Sequence, residues 1–551
     1  MLDIEIAFGI PEETRRIANA AFPKGNLYMR MRDELGVLYE DPEFAKLFPP
    51  LGQPAEAPWR LATVTIFQFV EGLSDRQAAD AVRARIDWKY AMGLDIEDPG
   101  FDSSILCEFR TRLLKGGAET HLFDKMLTLL KQRQLLKARG RQRTDATHIQ
   151  AAVRSLNRLE CLGETLRYAL NRLAETDPQW VVAHADPEWF DRYSTRVESY
   201  RLPDGKEERE AYALVMGADG SRLLAALAEP TTPEAYKDLP AVQAVRAVWR
   251  QQFYFETEQL HLRTEENMPP CALRITSPYD LEARFSTKRE TNWIGYKAHL
   301  TETCDADSPH LITQVQTTPS TTHDGHALSD IQADLAQKNL LPDEQIVDEG
   351  YTEAAHLVSS KKKHSIQLLG PIAEDRSRQA REKRGFDTSS FQIDWENQCV
   401  LCPAGKTSLP LTEVRRHKGA IRLQAKFLRE ECRTCEHRAD CTNCQSRGRT
   451  LTLHVQDEHE ALQAARLRQH TLEFRTRYAA RAGIEGTLSE AVRAYGLRRA
   501  RYIGQAKTHL QHLVIATAMN FCRVFDWLIG TPLAKTRQSS FARLKPKLGI
   551  A

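Results

Sequence analysis

The order of short patterned segments after Ile294 constrains the fold of this chain most. Tyr296 to Thr301 alternates apolar and polar residues, and so does Leu311 to Gln316, as half-buried strands do. A helical pattern follows from Ala327 to Lys338. Next come a short strand, Gln345 to Val347, ending at Asp348, and Gly350-Tyr351 leading into another helix. Ser365 to Leu369 reads as one more strand. Strands and helices in this order predict a mixed or parallel sheet with helices packed on it.

Residues 1–135 read as mostly helical. Leu61 to Glu71 is an apolar run, broken by Gly72-Leu73, and Ser74 is a good N-cap for a helix from Asp75 to about Ile86. Two short helices around a glycine turn have the shape of a helix-turn-helix, although this segment alone reads first as a plain helical hairpin in a bundle. Between 136 and 150 the pattern suggests a short strand ending near Asp145, then a helix from Ile149 to Leu173. Residues 175–280 are polar and helix-prone, 373–390 are charged and loop-like, and a long helical region closes the chain.

At 551 residues the chain is long enough for about three domains, and 42% hydrophobic with 27% charged residues excludes wholesale disorder. The formal charge is only +2, so any nucleic-acid contact must be local. From Arg475 to Leu510 there are eight Lys/Arg against two acids, and the last 17 residues hold Lys535, Arg537, Arg543, Lys545 and Lys547 without an acid. Gln511 to Gly530 is apolar but carries His512, Asn520, Arg523 and Asp526, so it reads as a core helix and not a membrane span. Met1 to Glu5 lacks the pattern of a secretory signal, which predicts an intracellular protein.

Six of the 11 cysteines lie between Cys399 and Cys444, as Cys399-x2-Cys402, Cys432-x2-Cys435 and Cys441-x2-Cys444. Each pair can put two thiolates on one tight turn, as tetrahedral zinc requires, and an intracellular protein favours metal over disulfides. His437 is a further candidate. The best four ligands for a structural Zn²⁺ are Cys402, Cys432, Cys435 and Cys441, with Cys399 and Cys444 as alternates; free buried thiols are the other reading.

Asp145 and Asp348 each sit at an expected strand end, where ligands of open α/β sheets gather and where an Asp also serves as a helix cap. Tyr478, Arg481 and Glu485, with Arg493 eight residues further on, fall close to one helical face. Glu485 is surrounded by Arg481, Arg493, Arg498, Arg499 and Arg501, which suits either simple ion pairing or a phosphodiester site. Trp293 and Tyr296 follow Lys288 and Arg289 and read as two core aromatics. His323-Asp324-x-His326 is read as an N-cap at Asp324, not as a metal cluster.

These motifs together resemble a known family. Arg481-Ala-Gly-Ile-Glu485-Gly-Thr, Gly496-Leu-Arg-Arg-Ala-Arg-Tyr502 and Lys507-Thr-His-Leu-Gln511 look like the tyrosine–arginine–glutamate–lysine signature of insertion-sequence DDE transposases. Thr144-Asp145-Ala-Thr-His148 and Val347-Asp348-Glu-Gly-Tyr351 resemble its two catalytic aspartate motifs. Cys402-Pro-Ala-Gly405 and Cys432-x2-Cys435-x5-Cys441 resemble its cysteine insertion, and Leu61 to Leu114 its N-terminal helical domain. The signature has Lys seven residues after the Glu; here Val492 stands there, with Arg493 next.

The resemblance implies an RNase H-like mixed sheet with an N-terminal all-helical domain and a cysteine-rich zinc-binding insertion. Asp145, Asp348 and Glu485 would bind two Mg²⁺ (or Mn²⁺) ions. Tyr478, Arg481, Arg493, Arg498, Arg499, Arg501, Lys507 and Trp293 would contact double-stranded DNA, both terminal inverted repeats and target. The chain would cleave at the element ends, join the 3′-OH to target DNA, act as a homodimer on DNA, and work in the cytoplasm away from membranes. A nuclease of the same fold and an inactive DNA-binding regulator are the alternatives. The implied divisions are 1–135 (DNA-binding), 136–372 (catalytic core, with a helical insertion at about 175–285), 373–455 (zinc-binding insertion), 456–530 (core helices carrying the Glu) and 531–551 (basic tail).

Overall fold

The computed structural model describes residues 9–375, 377–415, 420–532 and 540–543. Its strands begin with β1 (Arg141–Gln150), a small hairpin of β2 (Phe253–Glu256) and β3 (Gln259–Leu262), then β4 (Arg284–Lys288) and β5 (Thr291–Thr303). They continue with β6 (Ile312–Pro319), β7 (Glu344–Ile346) and β8 (Gln367–Leu369). All but the hairpin form one sheet, in which β6, β5, β1, β7 and β8 lie side by side and β4 shares an edge of β5. β1 is antiparallel to β5 and parallel to β7, and β7 is parallel to β8. This curled mixed sheet fits the RNase H-like expectation.

The expected end of the first strand near Asp145 is corrected, because β1 continues to Gln150 and the next helix starts only at Arg158. The strand persists because Ala146 to Gln150 all find partners on β5. Gln150 also exchanges backbone hydrogen bonds with Arg498 and Ala500, so the strand end is closed by the far part of the chain. The helix begins where a cap is available. The Asn157 side chain accepts from the Glu160 backbone N–H, and the Glu160 side chain accepts from that of Asn157.

The N-terminal region is helical, as expected. Gly72 ends the helix Pro58–Glu71 in the left-handed region at φ 69°, and Ser74 and Gln77 form a capping box for Asp75–Ala84. The first of these two helices is buried along most of its length, while the second leaves Arg76, Gln77, Asp80 and Arg83 exposed. One hydrophobic cluster joins these helices to the sheet through the helix Gln505–Leu528. Phe67, for instance, packs on Phe521 with ring centroids 5.7 Å apart. Asn520 of the same long helix exchanges two 2.8 Å hydrogen bonds with the Ile312 backbone on β6.

Two further cores are separate from this one. Helices between Arg158 and Gln252 enclose Leu162, Leu166, Trp189 and Trp249. The cysteine-rich segment builds β9 (Gln392–Asp394), β10 (Cys399–Leu401), β11 (Thr412–Arg415), β12 (Ile421–Lys426) and β13 (Thr450–Leu453) over Phe391, Val400, Phe427 and Leu451. Of the expected basic tail, Lys535, Arg537, Lys545 and Lys547 lie outside the described residues. Among the described residues no helix is long and apolar enough to cross a membrane.

Candidate active site and cysteine cluster

The sheet register brings the two aspartates together. β1 and β7 pair as Arg141 with Glu344 and Arg143 with Ile346. Continuing that parallel register by two residues sets Asp145 opposite Asp348. Asp348 caps the short turn Glu349–Tyr351, accepting from the Gly350 N–H at 2.9 Å, so the capping role and the site role coexist in one side chain. The third carboxylate comes from the helix Ala482–Ala494, whose first turn carries Glu485.

Arg481 links all three. Its Nη2 donates to Asp145 Oδ2 at 2.7 Å and lies 3.9 Å from Asp348 Oδ2, and its Nη1 donates to Glu485 Oε1 at 2.8 Å. The guanidinium therefore supplies the positive charge that the gathered carboxylates need. Burial pushes the Asp145 carboxyl up to about 6, and the Asp348 charge adds to this, against Arg481, the Ala146 N–H and Lys288. A buried carboxylate beside a second one favours a cation between them, so the donor set fits a hard divalent ion. Glu485 keeps 66% of its side chain exposed and closes the open side.

Tyr478 stacks on Phe474 at 5.4 Å. Burial raises its hydroxyl pKa, helped by Asp348, Asp145 and Glu485, so the phenol stays protonated and is a poor nucleophile. The expected DNA contacts divide into two groups. Arg493, Arg499, Arg501 and Lys507 are exposed. Arg498 is instead bound to β1, donating to Thr147 Oγ1 at 2.9 Å and to the His148 carbonyl at 2.8 Å. Arg501 donates to the Leu73 carbonyl at 3.0 Å and lies over the Phe69 ring at 4.5 Å, tying this segment to the N-terminal helices.

Trp293 is not presented to a base in this conformation. It is 5% exposed, packs on His148 at 5.1 Å, and its Nε1 donates to the Tyr296 carbonyl. Tyr296 is likewise a core residue whose hydroxyl reaches both Asp280 oxygens at 2.7 Å. At His323-Asp324-x-His326 the cap is His323, not Asp324: its ring accepts from the Gly325 N–H, and Asp324 pairs with Lys297 at 2.8 Å. Lys288 was legible only as a basic residue before the aromatics, yet its charge acts on Asp145 because the β4–β5 hairpin folds back toward the site.

In the cysteine-rich segment Cys402, Cys432, Cys435, Cys441 and His437 line one pocket, whereas Cys399 and Cys444 do not. Burial pushes the Cys441 thiol up, and the nearby Cys432, Cys402 and Cys435 push it further, against Arg449. Two sulfurs already accept backbone N–H groups, Cys402 from Lys406 at 3.3 Å and Cys432 from Arg449 at 3.4 Å. Cys444 is different, its thiol drawn down to about 7 by the Ser446 hydroxyl and nearby backbone groups. Among the described residues no three His, Cys, Asp or Glu side chains stand close enough together to hold a metal as they are. Arg481 separates the carboxylates, and the thiols face one another across the pocket.

A family model described as a transposase DDE domain matches residues 401–525, and one described as a transposase domain (DUF772) matches residues 17–112. The first spans β11 to β13, five of the six clustered cysteines and the helix with Glu485. The second spans the N-terminal helices as far as Arg112. No curated protein matches the chain.

Proposed function

We propose that this chain, an insertion-sequence DDE transposase on the support of its two family-model matches, binds the terminal repeats of its element, cleaves at the element ends and joins the freed 3′-OH to target DNA. The observation that carries the reading is the convergence of Asp145, Asp348 and Glu485 on the single guanidinium of Arg481. Three carboxylates from three distant segments around one cation make an arrangement suited to divalent ions and a phosphodiester.

Asp145, Asp348 and Glu485 would hold two Mg²⁺ or Mn²⁺ ions, which supply activation of the attacking oxygen and stabilisation of the leaving one. For that, Arg481 releases at least one carboxylate and turns its guanidinium to a DNA phosphate, a planar bidentate match. Exposed Arg493, Arg499, Arg501 and Lys507 hold further phosphates and fix the duplex, while Arg498 stays with the protein. Water attacks first and frees a 3′-OH, which then attacks target DNA, so no protein–DNA covalent bond is needed and Tyr478 acts as a DNA contact. Exposed Arg76, Gln77 and Arg83 of the N-terminal hairpin read the repeat. Cys402, Cys432, Cys435 and Cys441 would hold a structural Zn²⁺, with Cys399 and Cys444 as alternates. The chain works in the cytoplasm, as a homodimer when two element ends are paired.

The test is a labelled duplex carrying the terminal repeat, incubated with the protein and Mg²⁺ or Mn²⁺ beside the Glu485→Gln variant. Cutting at the repeat boundary with joined products, lost in the variant and in chelator, is the expected result. Cutting without joining would leave a nuclease, and binding without cutting a regulator.

A further inference from the structure

The mechanism leaves a charged cluster unused beneath the carboxylates. Glu302 on β5 is 0% exposed. Its Oε1 accepts from Arg143 Nε at 2.7 Å, and its Oε2 accepts from Thr487 Oγ1 at 2.6 Å and Arg523 Nη1 at 2.8 Å. Arg143 stands two residues before Asp145 on β1, and its Nη1 donates to the carbonyl of Ala480, the residue before Arg481, at 2.6 Å. Arg523 also reaches Glu490 at 2.7 Å and the His310 carbonyl at 2.9 Å. One carboxylate thus ties together β1, β5, the helix Ala482–Ala494 and the helix Gln505–Leu528.

The cluster meets the catalytic helix from below. Thr487 is buried on its inner side, while Glu485, two residues earlier, points outward to Arg481. Gly483 lies directly against the cluster: a Cβ there would sit 1.9 Å from Arg143 Nη1, a nitrogen already fixed by the Ala480 carbonyl. Buried ion clusters seldom stabilise more than apolar packing of the same volume, but their directional bonds exclude alternative registers. Apolar side chains here would tolerate rotation or sliding of the helix; three bonds to two oxygens do not.

We propose that Glu302 is a positioning residue that, through Arg143, Thr487 and Arg523, fixes the depth and rotation of the segment Ala480 to Thr487 so that Arg481 and Glu485 stand opposite Asp145 and Asp348. It touches neither DNA nor the reacting atoms. The proposal rests on the transposase reading for what those four residues do.

The test compares the full-length wild type with Glu302→Gln, Thr487→Val and, as a control, Asp145→Asn. Mn²⁺ binding is measured by electron paramagnetic resonance of the free ion, and repeat binding and cleavage on the labelled duplex. Glu302→Gln and Thr487→Val, judged on molecules with native circular dichroism, are expected to bind the duplex like wild type while Mn²⁺ affinity and kcat fall by about 10-fold to 100-fold. Thr487→Val removes no charge and carries the test if Glu302→Gln fails to fold. Thermal stability lowered in both variants, with Mn²⁺ affinity and kcat unchanged per folded molecule, would overturn the positioning role alone. If wild type binds no Mn²⁺ that Asp145→Asn removes, the transposase reading fails and this proposal falls with it.

Discussion

The carboxylate cluster and the cysteine cluster both collect ligand-type side chains, but by opposite routes. Asp145, Asp348 and Glu485 lie 203 and then 137 positions apart along the chain and meet through the register of β1 on β7 and the packing of one helix. Cys402 to Cys441 meet within one short segment, through tight turns over a small core of their own. The three carboxylates share one arginine of the same chain, whose single positive charge offsets only part of theirs. Among the described residues the thiols face one another and the Arg449 charge, and two of them accept a backbone N–H. The first site is therefore a consequence of the whole fold, whereas the second is built within one segment over its own core.

The largest effect expected from this contrast is chemical. Asp145→Asn or Glu485→Gln should lower cleavage by about 10³-fold or more with repeat binding retained, because a charged ligand of the reacting centre is lost while the sheet persists. Quantified cleavage and gel shift on one duplex check this; residual cleavage within tenfold of wild type would remove these residues from the site. Next, Cys432→Ser should abolish co-purifying zinc and open residues 373–455 to protease while the helical signal of the rest survives. Zinc content and limited proteolysis decide it, and an equally protected variant would show that the segment needs no metal.

Acid tests the long-range part. Burial pushes His512 down to about 3 and His299 to about 4, the one facing Thr317 of β6 and the other Tyr351 and Thr318. Both bind a proton more weakly in the folded chain than in the unfolded one, where the ordinary value is near 6.5. Their contribution is therefore complete above about pH 6.5 and is lost as pH falls from there toward 4 and 3, on the order of 2 kcal/mol per histidine at pH 5. Urea unfolding from pH 7 to 5 should show this slope, reduced in His299→Gln; an unchanged slope would exclude the residue. The smallest effect is expected from Arg498→Ala, which unties the end of β1 at a cost of about 1 kcal/mol by the same unfolding measurement.

Parts of this were legible beforehand for identifiable reasons. Ser74 and Gly72 announce their helix boundary because capping and left-handed turns are local chemistry. The mixed sheet was legible from alternation in β5 and β6. The end of β1 was not, because its last residues are held by Arg498 and Ala500, some 350 positions away, and no local pattern records that partner. Trp293 has the composition of a stacking residue beside basic ones, yet its fate depends on His148 across the strand pair. Arg498 reads like Arg493 in a basic run; only packing distinguishes the one whose guanidinium group the protein itself has taken up.

The sequence by itself determined the menu of side chains: three acids in recognisable motifs, one arginine four residues before the last, and cysteines paired at turn spacing. Those are local properties, set by which residues neighbour one another along the chain. The tertiary structure decided that the three acids share one guanidinium, that four of six cysteines share one pocket, and that Glu302, an unremarked acid in a strand, lies beneath the helix that carries Glu485. These depend on strand register and helix packing, which are fixed by burial summed over the whole chain and not by any segment of it.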